Sequence, residues 1–190
     1  MNYIAENTFE GIDFAAEGFK QGEYEQCVFK NCNFSECNLS DAKFVACEFN
    51  ECNLSLANLD NTALRDCIFK ECKMLGLRFE NCNEFGLSFS FEKCLLNDSS
   101  FFKTKIKKTV FTGCQLHGVD FTECDLTSSV FSKCDFKGAV FSKTNLEKAD
   151  LKTSFNYSID PEQNRLKKAK FSIPGVTGLL DKYDLSITFN

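Results

Sequence analysis

Cysteine offers this chain its widest choice of chemistry: twelve thiols stand beside a single histidine, His117. Thiolates can ligate zinc, close disulfides or attack electrophiles, and each use demands its own arrangement. Zinc sites favour cysteine pairs separated by two residues. Here the tightest spacing is five, as in Cys27, Cys32 and Cys37, and no second ligand set accompanies it. A catalytic thiol needs a base positioned beside it. His117 follows Leu116 in a polar slot and reads as a solvated surface residue. No glycine-rich phosphate loop and no paired carboxylates suited to acid–base work can be assembled. The chain is therefore expected to have no catalytic, cofactor-binding or metal-binding residues, and not to be an enzyme.

The cysteines obey a different rule. Large apolar residues recur at every fifth position from Ile4 through Phe9, Phe14, Phe19 and Tyr24 to Phe79, sixteen in succession. Position 84 is Glu, and the series resumes two residues late at Phe91, running thirteen more to Leu151. All twelve cysteines lie two residues before one of these centre slots, on both sides of the slip. The same slot elsewhere holds small residues such as Ala42, Ala57, Thr62, Ser99 and Thr144. Cysteine reads here as a small apolar filler. Cysteines twenty residues apart should stack with side chains pointing the same way, which strains any disulfide between them.

A period of five fits neither a helix nor a strand. It suits a chain that turns a corner every five residues and points one large and one small side chain inward each time. Four corners close a square coil of twenty residues, and successive coils then pair backbone to backbone at about 4.8 Å. The expected fold is an all-β solenoid, a right-handed quadrilateral β-helix of about seven to eight coils over residues 1–155. The register slip falls within 80–91 and makes a small bulge, with Phe85 expected to replace the missing centre and face inward. Residues 156–190 form a short C-terminal helical capping or dimerisation module. There Asp160 and Pro161 read as a helix start, with the helix running through Arg165 to Ala169. A second helix is expected over 175–182 and a strand over 184–189. Val176, Leu179, Leu180, Tyr183, Leu185 and Ile187 cap the apolar column, or cap it while their outer side forms a homodimer interface.

Runs such as CNFSE, CNLSD, CDLTS and ADLKT resemble the A(D/N)Lxx motif of the pentapeptide repeat proteins. The tail, DPEQNRLKKAKFS followed by PGVTGLLDKYDLSI, resembles that of the Qnr-type fluoroquinolone-resistance and microcin-immunity proteins, as does the slip region. The resemblance implies a dimeric rod similar to B-form DNA in width and charge. It implies binding to DNA gyrase or topoisomerase IV where the DNA would lie, with modulation of the enzyme or its protection from a toxin or fluoroquinolone. The alternative is a general protein-interaction scaffold with another partner.

Composition bounds these expectations. The chain is 43% hydrophobic and 26% charged, with a net charge of −5. It has no apolar run long enough for a membrane span. Its first residues lack a basic stretch followed by an apolar one. A cytoplasmic protein without membrane contact is expected, which also suits twelve thiols. The acidic balance disfavours direct contact with nucleic acid. The acid is uneven: residues 1–83 hold fourteen Asp and Glu against seven Lys and Arg, whereas 84–155 and 156–190 each carry a net +1. Outward-facing candidates for partner binding are Glu36, Asp41, Glu48, Glu51, Asp60, Asp66, Glu71 and Glu80. An acidic face that merely keeps the rod soluble is the competing reading.

Overall fold

The computed structural model describes residues 2–188. Backbone pairing follows the repeat. One parallel sheet stacks Asn2–Ala5, Gly22–Glu25, Lys43–Val45 and Ala63–Arg65. A second stacks seven segments, from Thr8–Glu10 through Val28–Lys30, Glu48–Asn50, Cys67–Lys70, Phe89–Glu92 and Val110–Thr112 to Val130–Ser132. The other two sides are joined by single bridges such as Asn33 to Asn53 and Asn38 to Asn58. Partners lie twenty residues apart, so four sides make each coil. The chain is a parallel quadrilateral β-helix.

Every centre from Tyr24 to Phe79 and from Phe91 to Leu151 is buried, as are all twelve cysteines. Ile4, Phe9, Phe14 and Phe19 are only half-buried, because no coil lies beneath them. Phenylalanines one coil apart stack nearly parallel, as in Phe29 on Phe49 at 4.8 Å and 12°. Those on adjacent sides meet edge-on, as in Phe29 and Phe34 at 5.4 Å and 74°.

The corner lies two residues after most centres, and its backbone there is left-handed: Glu36 at φ +57°, Glu51 at +53°, Leu56 at +59°. Side chains other than Gly, Asn and Asp seldom adopt this region. Here each corner N–H donates to the next coil, Glu36 to Ser55 O and Glu51 to Lys70 O, both at 2.9 Å, and this pairing recurs along the rod. Gly76 occupies a corner (φ +65°) where a Cβ would come 2.7 Å from Leu56 Cδ2.

The small slot is also a donor slot. Thr62 Oγ1 donates to Leu39 O (2.7 Å) and Thr144 Oγ1 to Phe121 O (2.8 Å), each twenty-three residues back. Thiols make the weaker version, Cys52 to Phe29 O at 3.4 Å and Cys72 to Phe49 O at 3.3 Å. Cysteine thus fills space and also partners the coil beneath.

Three local expectations need correction. Phe85 does not face inward: it is 78% exposed, and Phe89 is buried in the slipped coil while Leu87 packs against the core. Asn83 Oδ1 accepts the Phe85 N–H at 3.1 Å and turns the chain outward there. The coil also does not end at residue 155. Bridges join Asn145 to Arg165 and Asp150 to Lys170, with Tyr157 and Ile159 buried. Asp160 and Pro161 start a turn, not a helix: the Asp160 carboxylate accepts the Glu162 N–H (2.9 Å), and Asn164 then fills a small slot by donating to Phe141 O. A side-chain acceptor followed by Pro is a turn signal as much as a helix cap.

The tail folds as two 3-10 helices, Pro174–Leu179 and Asp181–Tyr183, where one longer helix was expected. Residues 184–188 pair with no strand, and Phe189 lies outside the described residues. The tail is tied to the last coil by Lys182, which reaches Asp160 at 2.8 Å and Glu162 at 2.7 Å, and by Tyr183, whose hydroxyl donates to Glu162. Among the described residues no helix is long and apolar enough to cross a membrane.

Candidate protein-interaction surface

The coil geometry decides where the eight acidic candidates point. Glu36, Asp41, Glu51, Asp66 and Glu71 occupy left-handed corners, with their side chains in solvent. Glu48, Asp60 and Glu80 flank buried centres. They do not share one face. Glu36 lies beneath Leu56 and Gly76 in its column, and Asp66 on another corner accepts from the Ser88 hydroxyl at 2.8 Å.

The remaining six form two groups. Glu48, Glu51 and Glu71 share one corner, but lysines lace it. Lys70 Nζ lies 2.6 Å from Glu48 and Lys93 Nζ 2.8 Å from Glu71. The Lys70 hydrogen bond holds the Glu48 carboxyl below the usual carboxylate range. Lysines of the coil above thus offset two of the three carboxylates at this corner.

Asp41, Asp60 and Glu80 share the other corner. Here amides, not lysines, join the coils: Asn61 Nδ2 donates to Asp41 Oδ1 at 2.8 Å, and Asn81 Nδ2 to Asp60 Oδ1 at 2.7 Å. Asparagine supplies a hydrogen bond without a positive charge, so both carboxylates keep their net charge toward solvent. Among the described residues neither Asp41 nor Asp60 has an ion-pair partner, and Glu80 meets only the largely exposed Arg78 at 3.3 Å. Sequence position alone did not reveal this ladder, although asparagines twenty residues apart were its signal.

Beyond the slip the surface changes. Lys103 pairs with Glu123 and Lys107 with Asp125. His117 is half-buried, with Nε2 2.8 Å from Asp135 Oδ2, so it is less solvated than expected. Burial works against the Asp135 charge, but hydrogen bonds from His117 and Asn156 outweigh it and lower that carboxyl's pKa. Among the described residues no group of three or more His, Cys, Asp or Glu is arranged to hold a metal ion. Burial pushes the Cys47 thiol up to about 11 and Cys82 and Cys124 to about 12, so they are poor nucleophiles at neutral pH.

At the C-terminal end the expected interface residues divide. Leu179 packs against the core and Leu180 is half-buried, which serves the cap. Val176, Tyr183, Leu185 and Ile187 are exposed, as are Ile173 and Phe155.

Two family models match the chain. One, described as pentapeptide repeats (9 copies), covers residues 24–68, and the other, described as a pentapeptide repeat region, covers 86–155. The gap between them holds the slip. No curated protein sequence matches. Among solved structures, trypsin-treated QnrB1, a plasmid-mediated fluoroquinolone resistance protein, superposes with a TM-score of 0.77 at 19% identity over 99% of this chain and 92% of that one. HetL, a pentapeptide repeat protein involved in heterocyst differentiation regulation in the cyanobacterium Nostoc, gives a TM-score of 0.47 at 15% identity, covering 90% of this chain and 84% of its own.

Proposed function

The chain belongs to the pentapeptide repeat proteins, and from that premise we propose that it is a cytoplasmic, non-enzymatic DNA mimic that binds a type II topoisomerase, DNA gyrase or topoisomerase IV. It acts by surface competition, modulating the enzyme or shielding it from a toxin or fluoroquinolone. The observation that carries the reading is the corner of Asp41, Asp60 and Glu80. It is a column of carboxylates at coil spacing, in which the amides of Asn61 and Asn81 bond Asp41 and Asp60 without cancelling their charge. A surface that binds DNA attracts such an array over long range, and salt weakens the attraction. The tail's resemblance to the Qnr-type proteins and the fluoroquinolone resistance named for QnrB1 agree with it. The exposed Val176, Tyr183, Leu185 and Ile187 would join two rods end to end.

The test is binding to purified gyrase and topoisomerase IV, with Asp41→Asn/Asp60→Asn as the comparison. Saturable, salt-sensitive binding that the double variant weakens supports the reading. A second reading, a scaffold for another protein, is favoured by the near-neutral half beyond the slip, where Lys103, Lys105, Lys107 and Lys108 cluster. Binding to neither topoisomerase would select it.

A further inference from the structure

The net charge of −5 conceals a face of the opposite sign. Beyond the slip, one side of the β-helix is built from residues 103–108, 123–128, 143–148 and 163–168. Bridges run through its middle from Lys105 to Asp125, Asn145 and Arg165. Lys108, Ser128, Lys148 and Lys168 form one edge, all with left-handed backbone. The side holds nine Lys and Arg against three acids, Glu123, Asp125 and Glu147, a net +6. All nine bases are exposed. The acids are taken up by Lys103, Lys107 and Arg165, at 3.8, 3.2 and 2.7 Å. Among the described residues, Lys105, Lys108, Lys143, Lys148, Lys167 and Lys168 then have no carboxylate within ion-pair distance. Lys148 and Lys168 stand one coil apart, a like-charge placement that costs stability in a sheet. Below the slip the same side, residues 21–26, 41–46 and 61–66, holds four acids against Lys43 and Arg65, a net −2. The sign therefore reverses at the register change.

We infer that the lysine side is a docking surface for the phosphate backbone of a nucleic-acid duplex. Its cations do not converge on a point. They spread over four coils, about 14 Å from first to last, which suits an extended polyanion. No large apolar side chain is exposed on this side. A protein partner would call for an aromatic or aliphatic anchor, a membrane for apolar residues to insert, and a single strand for rings that stack its bases. A duplex backbone needs only the cations, since lysine binds phosphate as a point charge. Phosphate contacts carry no sequence information, so binding is independent of sequence. This inference goes beyond the topoisomerase reading and does not rest on it, because the carboxylates of that reading lie below the slip.

The test uses the full-length protein and a short fluorescent DNA duplex of mixed sequence, followed by anisotropy as salt is raised. The expected result is saturable binding at low salt, with affinity falling as about the third power of salt concentration, as neutralising about three or four phosphates requires. Lys108→Gln/Lys148→Gln/Lys168→Gln should weaken binding by about tenfold and flatten the salt dependence. Lys20→Gln/Lys73→Gln/Lys133→Gln removes the same charge from exposed positions off this side, and should change affinity by less than about twofold. Poly-L-glutamate and phosphatidylserine vesicles should bind more weakly than the duplex. Three results would overturn the inference: no saturable binding at low salt, equal losses in the two folded triple variants, or tighter binding of polyglutamate or vesicles than of the duplex.

Discussion

Phe69 and Phe91 stack with ring centroids 5.4 Å apart and planes 15° from parallel, although twenty-two residues separate them where the rod elsewhere uses twenty. The inner column therefore crosses the slip unbroken, and the extra chain is pushed to the surface, where Phe85 rests on Arg65 with 5.2 Å between guanidinium carbon and ring centre.

That relationship separates two phenylalanines of the same region. Phe69→Ala should cost about 3–5 kcal/mol, because the stacked neighbours cannot collapse into the gap. Phe85→Ala should change stability by less than about 1 kcal/mol, since the ring is mostly in solvent. Urea denaturation midpoints of the two variants check this. Equal losses would mean that Phe85 is a core residue.

The donor role of the small slot makes a sharper demand than size alone. Thr144→Val keeps the shape but leaves Phe121 O without its hydroxyl, and should cost about 1–3 kcal/mol. Thr122→Val, on the outside of the rod, should shift stability by less than about 0.5 kcal/mol. Calorimetric unfolding of both variants measures the difference.

The thiols should be silent in the fold. A disulfide-exchange reagent at pH 8 should titrate few of them in native protein and all twelve after denaturation. Burial raises the pKa values of Cys47, Cys82 and Cys124, so the sign of their pH effect is fixed. Above about pH 8.5–9 the unfolded chain ionises its cysteines, whereas the folded chain keeps Cys47 protonated to about 11 and Cys82 and Cys124 to about 12. Their contribution is complete below pH 8.5 and should be lost progressively as pH rises toward 11–12. Urea midpoints across this range, compared with those of Cys82→Ala, test it.

The tail prediction concerns mass. Wild-type protein should sediment as a dimer, and Val176→Glu/Leu185→Glu, which changes two exposed residues, as a monomer with the same circular dichroism. An unchanged mass would remove the C-terminal interface from the account.

Much of this was legible in the sequence, because a period of five leaves the backbone few options. Each centre and each cysteine reports the same coil, so errors at one position cannot shift the rest. The slip was visible as a register change, but the direction of Phe85 was not. That direction depends on Asn83 catching its N–H and on Arg65 lying beneath, a residue twenty earlier. The last coil was missed because its centres are irregular: Tyr157 and Ile159 replace spaced Phe and Leu, and Asp160-Pro161 carries the same local chemistry in a turn as in a helix cap. Of the acidic candidates, those at the corners stand in solvent, whereas the Glu80 side chain is largely buried. Their division between a lysine-laced corner and an amide-linked one required knowing which neighbour, Lys70 or Asn61, lies one coil away.

The measurement that tests the central claim most directly is supercoiling by purified gyrase, titrated with this protein, with and without a fluoroquinolone. The account predicts inhibition or drug rescue at low micromolar protein, weakened by salt and by Asp41→Asn/Asp60→Asn. Unaltered supercoiling and drug sensitivity, together with no effect on topoisomerase IV, would contradict it.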